Sequence, residues 1–191
     1  MSHLLTPDLC VIGAGSGGLS VAAAAAQLGV DVVLIERHKM GGDCLNTGCV
    51  PSKALLAAAK RAHLMRTPNK FGIAPHEPSI DTRAVNRHVA EVIAAIEPND
   101  SVERFQGLGV HVIQYEAFFK DSYTIIAGQY EVKARRTIIA TGSSPAIPPI
   151  PGLENVNFFT NETIFQNSQV LPHLIIIGGG PIGMEMAQAH R

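Results

Sequence analysis

Residues 8–36 read DLCVI GAGSGG LSVAAAAAQLG VDVVLIE, and the fold follows from this stretch. Asp8 to Ile12 is a short apolar run. Gly13 to Gly18 carries glycine at positions 13, 15, 17 and 18. A helical pattern, Leu19 to Leu28, is stopped by Gly29. A second apolar run, Val30 to Ile35, ends at Glu36. The order is strand, glycine turn, helix, strand, which is the opening of a parallel α/β sheet. Each glycine has a mechanical reason: Gly13 makes the tight turn, Gly15 lets a pyrophosphate approach the backbone, and Gly18 lets the helix pack on the strand. The helix N-terminus then faces the phosphates. Glu36 lies 23 residues after Gly13, near the spacing expected for an acid on an adenosine ribose. A glycine-rich turn without ligand is the plainer reading of the motif alone. Its placement between these elements, with the terminal acid, favours a dinucleotide.

Downstream, Gly41 to Lys53 reads GGDCLNTGCVPSK and holds two of the three cysteines, Cys44 and Cys49. An apolar helix pattern with Pro51 near its start follows, and runs to about Arg66. Proline is tolerated in a first helical turn. Cys49 is therefore expected at a helix N-terminus, where backbone N–H groups and the macrodipole favour a thiolate. Three readings of the pair are open. A structural disulfide closing so short a loop would stabilise by only about 2 kcal/mol. Zinc wants four ligands, and the remaining cysteine, Cys10, lies in an apolar strand. A redox-active dithiol fits the position best.

Thr67 to Pro78 reads as loop. Asp81 is placed to cap a helix with Val85, Val89, Val92, Ile93 and Ile96 at helical spacing, ended by Pro98. Asp100 and Glu103 fit the ends of a capping box for a further short helix. Val110 to Phe119, Tyr123 to Ala127 and Tyr130 to Ala134 read as strands, with Gly128-Gln129 a two-residue hairpin turn. Arg136 to Ala140 reads as a buried strand leading into Thr141-Gly142. Ser144 to Gly152 has four prolines in nine residues and reads as a crossing between domains. Then the opening pattern returns: apolar Leu174 to Ile177, the glycines Gly178, Gly180 and Gly183, and a helix start carrying Glu185. The sequence stops inside that helix, before a return strand, which suggests a longer protein.

The hydrophobic fraction of 46% allows a sizeable core, and a net charge of −1 argues against a nucleic-acid partner held by phosphate neutralisation. No run reaches membrane-spanning length, and Met1 to Pro7 lacks a secretory pattern. Three cysteines in 191 residues do not make a secreted disulfide scaffold, so a cytoplasmic setting is expected.

Two dinucleotide turns with a cysteine pair between them resemble the flavoprotein disulfide reductases, the pyridine nucleotide-disulfide oxidoreductases. The resemblance rests on Gly13–Gly18, Gly41–Lys53, Ala140–Gly142 and Gly178–Gly183, and covers essentially the whole chain. It implies a Rossmann-like FAD-binding domain over residues 1–146, with a parallel sheet and a small antiparallel β-meander. Residues 147–191 would be a linker and the first strand, turn and helix of an NAD or NADP domain. By the same resemblance Gly13, Gly15, Gly18 and Glu36 hold the adenosine diphosphate part of FAD. Gly42 and Lys53 lie along its pyrophosphate and flavin, Ala117 meets the adenine, and Thr141 and Gly142 close over the cofactor. Gly178, Gly180 and Gly183 take the nicotinamide dinucleotide. Cys49 touches the flavin, Cys44 is the interchange thiol, and Lys53 pairs with Glu185.

The implied chemistry passes electrons from NAD(P)H through FAD and the Cys44–Cys49 disulfide to a substrate. No resident metal is implied. The ending Pro51-Ser52-Lys53 is similar to dihydrolipoamide dehydrogenases and mercuric reductases, so a lipoyl-type disulfide is the expected substrate and a mercuric-type reaction the alternative. An inert FAD-binding module and a flavoenzyme with a merely structural cysteine bridge are the other-class readings. Family members are homodimers whose His–Glu base pair comes from the partner's C-terminal region, which is outside this sequence. Asp43 departs from the family pattern, where threonine is usual, and puts a side-chain phosphate contact there in doubt.

Overall fold

The computed structural model describes residues 3–191, so the first two residues of the expected FAD-binding span lie outside the described residues. Strands are β1 His3–Leu5, β2 Leu9–Ile12, β3 Val32–Ile35, β4 His111–Ile113, β5 Ala117–Phe119, β6 Ile125–Ala127, β7 Tyr130–Val132 and β8 Arg136–Ile139. Helices are α1 Ser16–Gln27, α2 Gly42–Asn46, α3 Cys49–Arg66, α4 Thr82–Ile96, α5 Val102–Gly107 and α6 Pro181–His190. The chain forms two compact units. One comprises Met1–Asn46 with Ile96–Ser144, the other Thr47–Ala95 with Pro145–Arg191.

The first unit is built on a parallel sheet of order β4-β3-β2-β8. A parallel sheet is covered on both faces, so its central strands read as continuous apolar runs rather than alternating ones. β3 obeys this, with all four residues buried. Val11, Val32 and Leu34 face a core shared with Leu19 and Ala22 of α1 and Phe105 of α5. Cys10, Val33 and Ile35 point the other way, into a core with Ile125, Ala127 and Val132. Those last three belong to the second sheet, β1-β7-β6-β5, where β7, β6 and β5 form the antiparallel meander and β1 runs parallel to β7. Gly128 opens the β6–β7 hairpin at φ +57°, the left-handed conformation such turns need.

Cys10 carries a consequence for stability. Its thiol is fully buried, and desolvation pushes its pKa up to about 12. Between the ordinary thiol value and 12 the unfolded chain loses this proton and the folded chain keeps it. The unfolded state then binds fewer protons, so folding stability falls as pH rises through that window. Thermal melts of the holoprotein from pH 8 to 11 are expected to decline, and Cys10→Val to decline less. Parallel curves for the two proteins would contradict this.

In the second unit Asp81 Oδ1 accepts from the N–H of Arg83 and Ala84, capping α4 as expected. Helices α3 and α6 pack on one another.

Several expectations are corrected. Val110–Phe119 is two strands: β4 belongs to the parallel sheet and β5 to the meander, and the polar break at Gln114–Glu116 is where the chain changes sheets. β8 is an edge strand rather than a buried one, with Arg136 and Ile139 exposed. The cap of α5 is Ser101, whose Oγ accepts from the Arg104 N–H, and not Asp100. Leu174–Ile177 joins no ladder among the described residues, and Ile175 and Ile177 are exposed, because a parallel strand needs a neighbour to bond. β1 and the one-turn helix α2 went unread, both being too short to show a period.

Candidate functional site

In the first unit the site forms at the carboxyl ends of β2, β3 and β8. The chain leaves β2 toward β3 on one side, while β8 lies on the other. Ligands of open α/β sheets bind at such a switch point. Gly13 has φ +103°, and a Cβ there would stand 2.2 Å from Ala140 O and 3.2 Å from Thr141 Cα. A Cβ at Gly18 would stand 1.8 Å from Gly13 O, so the start of α1 presses directly on the turn. The expected residues Gly13, Gly18, Thr141 and the φ +69° Gly142 are thus gathered at one edge.

Gly15 is the N-cap of α1. It offers no side-chain cap, and the first turn holds no acid. Those N–H groups are left to an outside acceptor, and a Cβ at Gly17 would meet nothing within 4 Å. An uncapped helix start with an open backbone face fits a phosphate group. Gly42, at φ +55°, lies against Gly15: a Cβ would come within 2.6 Å of Gly15 Cα. The Gly41 N–H also donates to Ala14 O at 2.9 Å. Gly42 and Gly15 are therefore brought together, and it is Gly42 that admits no side chain without displacing backbone, since a Cβ at Gly15 would lie 3.8 Å from Gly42 Cα, an ordinary contact.

Glu36 follows β3 and is half-buried. Its Oε2 accepts from the Ala14 N–H at 2.7 Å and its Oε1 from the His38 N–H at 2.8 Å. The acid expected on a ribose therefore also ties the glycine turn to the end of β3. Each carboxylate oxygen keeps a further lone pair for a hydroxyl donor. Arg37 Nη1 meets Glu116 Oε1 at 3.3 Å, which draws the residue before Ala117 toward this end of β3. Neither contact was signalled in the sequence. Asp43 is exposed in the first turn of α2, where the helix dipole favours a carboxylate. Cys44 is half-buried in the middle of α2.

In the second unit Cys49 is exposed and is the first residue of α3. The N-cap, Gly48, offers no side chain, and no acid lies in the first turn. One turn on, Lys53 Nζ donates to Glu185 Oε1 at 2.6 Å. The pair expected from motif position is therefore formed. Lys53 Nζ also reaches the buried Ser52 Oγ at 3.4 Å, and Ser52 Oγ donates to Cys49 O at 3.3 Å. The hydrogen bond from Lys53 holds the Glu185 carboxyl below its usual range, with a bond from Ser52 adding to it. The tie is complete above the ordinary carboxylate value and weakens as pH falls through the lowered one. Because the Lys53 side chain is 60% exposed, salt screens the pair and its worth is small. Acid melts of the holoprotein are expected to separate wild type from Glu185→Gln above the ordinary carboxylate value and to converge as pH falls well below it. A constant gap would contradict this.

Gly178 and Gly183 repeat the first turn: Gly178 has φ +111°, and a Cβ at Gly183 would stand 2.2 Å from Gly178 O. Gly180 caps α6 without a side chain, ahead of Pro181 at the helix start. The second turn thus repeats the backbone conformation of the first, with an uncapped helix start, although a Cβ at Gly178 would meet nothing within 4 Å. Among the described residues no group of three or more His, Cys, Asp and Glu side chains could hold a metal ion. Nor is any helix among them long and apolar enough to cross a membrane.

Comparison with known proteins adds to this geometry. A family profile described as pyridine nucleotide-disulphide oxidoreductase matches residues 7–191. The chain is 37% identical over 187 residues to a mercuric reductase of Streptomyces lividans, covering 95% of this chain and 40% of that protein. It is 33% identical over 181 residues to a mercuric reductase of Lysinibacillus sphaericus, covering 95% and 33%. Among solved structures, the HOCl-induced flavoprotein disulfide reductase RclA from Escherichia coli superposes with a TM-score of 0.80 at 26% identity, over 96% of this chain and 39% of that one. The chain therefore spans about two fifths or less of the length of each of these relatives.

Proposed function

The chain belongs to the pyridine nucleotide-disulphide oxidoreductase family, whose cofactors are FAD and NAD or NADP, and from that premise we propose that Cys44 and Cys49 are the redox pair of an NAD(P)H-dependent flavoprotein. The observation that carries the reading is the setting of Cys49. It is an exposed thiol at the uncapped start of α3, with the Lys53–Glu185 pair one turn along.

Gly13, Gly15, Gly18 and Glu36 take the adenosine diphosphate part of FAD. Gly42, Ala117, Thr141 and Gly142 complete its cradle, and Gly178, Gly180 and Gly183 take the nicotinamide dinucleotide. When bound, FAD supplies hydride acceptance from the nicotinamide and an electron pair for sulfur. With that pair the Cys44–Cys49 bond would break and one proton would be taken up, so that one of the two cysteines is left a thiol and the other a thiolate. Cys44, as thiolate, attacks a substrate disulfide, forming a mixed disulfide and expelling one substrate sulfur. Cys49 then attacks Cys44, which restores the bond and releases the second substrate sulfur. Lys53, held by Glu185, keeps a positive charge near the start of α3.

A lipoyl-type disulfide is the first substrate reading, from Pro51-Ser52-Lys53. A mercuric ion carried on thiolates is the second, favoured by the mercuric reductase relatives at 37% and 33% identity. A homodimer in the cytoplasm belongs to the same proposal. The test is NADH or NADPH oxidation by the holoprotein with lipoamide and, separately, with a mercuric thiol complex. Turnover lost in Cys44→Ser supports the redox pair, and the productive substrate selects the class. Turnover indifferent to both cysteines overturns the proposal.

A further inference from the structure

Helix α2 has five residues and is far too short to persist by its own hydrogen bonds. Two features hold it. Leu45 is 2% exposed and packs where a side chain on Gly41 would stand. Asn46 donates from Nδ2 to Met40 O at 3.0 Å and to Gly42 O at 2.9 Å. Both partners are carbonyl oxygens, which can only accept, so the amide's orientation is fixed: the NH₂ end faces Met40 O and Gly42 O. Its two hydrogens tie the end of segment 40–46 back to its start, and Cys44 lies within that segment. The same bonds fix Gly42, which presses on Gly15.

We infer that Asn46 is a positioning residue for Cys44. Its carboxamide holds the loop shut, so that Cys44 stays half-buried and in place for thiol exchange. The importance of that placement rests on the proposed redox role, but the placement itself does not. Asn46→Asp keeps the shape and replaces the two donors with an oxygen facing two carbonyl oxygens. Asn46→Gln keeps the donors on a longer stem.

The cysteines report the outcome in the reduced holoprotein treated with iodoacetamide, each sulfur displacing iodide and read by mass spectrometry. Cys49 is exposed and serves as the reference, while Cys10 is fully buried and reports global opening. In Asn46→Asp, Cys44 alkylation relative to Cys49 is expected to rise roughly tenfold with Cys10 still protected, and in Asn46→Gln to rise less. Turnover should fall in the same order. An unchanged Cys44 to Cys49 ratio overturns the inference, as does Cys10 becoming reactive together with Cys44 in both variants. If the redox role alone is wrong, the alkylation contrast persists and the turnover effect disappears.

Discussion

Replacing Cys49 by serine is expected to lower disulfide-reducing turnover by roughly 10³-fold or more, a rise of about 4 kcal/mol in the barrier. The reason is electronic as well as steric. Sulfur accepts the electron pair by breaking a weak bond to a second sulfur, and a serine oxygen has no such bond to break. The position of the residue does not change, since residue 49 begins α3 whatever its side chain, and the Lys53–Glu185 tie lies one turn further on. Flavin content and stability should therefore survive the substitution, and only the passage of electrons to substrate should fail. Cys44→Ser should fail equally in turnover with a disulfide. The measurement is steady-state NAD(P)H oxidation beside flavin content per protein. Loss of flavin together with activity would point to a structural cysteine.

The second large effect is at Gly13. Gly13→Ala puts a methyl 2.2 Å from Ala140 O on a backbone at φ +103°. Overpacking against rigid backbone costs about 1–3 kcal/mol, and a positive φ on an L-residue adds roughly 1–2 kcal/mol. The obstacle is the adjoining strand end rather than a flexible side chain, so relief requires moving β2 from β8. That also moves the Ala14 N–H away from Glu36. The variant is expected to melt earlier and to lose FAD on gel filtration. Gly17→Ala should behave oppositely: its Cβ meets nothing within 4 Å, and alanine in a helix is favoured over glycine by roughly 0.5–1 kcal/mol, so the melt should not fall. Equal destabilisation by the two substitutions would contradict the steric account.

The first fingerprint was legible because each feature has a sequence signal of its own. Val32–Ile35 is a continuous apolar run because both faces of a parallel strand are buried. Gly29 stops a helix, and Gly13 and Gly18 mark close backbone approach. The start of α3 at Cys49 followed from Pro51, and the Lys53–Glu185 contact from motif position. What went unread depends on partners distant in sequence. The sheet change between Ile113 and Ala117 is decided by which strands β4 and β5 pair with, β3 and β6, which local periodicity does not reveal. Exposure of β8 depends on its being at an edge, which no local pattern encodes. Helix α2 exists through one buried leucine and one asparagine side chain rather than through helix propensity. The bond from Ala14 to Glu36 joins residues 22 apart, and the sequence pattern points Glu36 only to a ribose.

The central claim is that Cys49, at the start of α3, lies against the flavin and exchanges electrons with it. The most direct measurement is the visible absorption spectrum of the holoprotein during anaerobic two-electron reduction. The account predicts a long-wavelength shoulder beside the flavin band that appears on reduction of wild type, is already present in oxidised Cys44→Ser, and is absent throughout in Cys49→Ser. A wild-type flavin band that bleaches at once, with no shoulder in wild type or Cys44→Ser and both wild-type thiols unreactive, would contradict it.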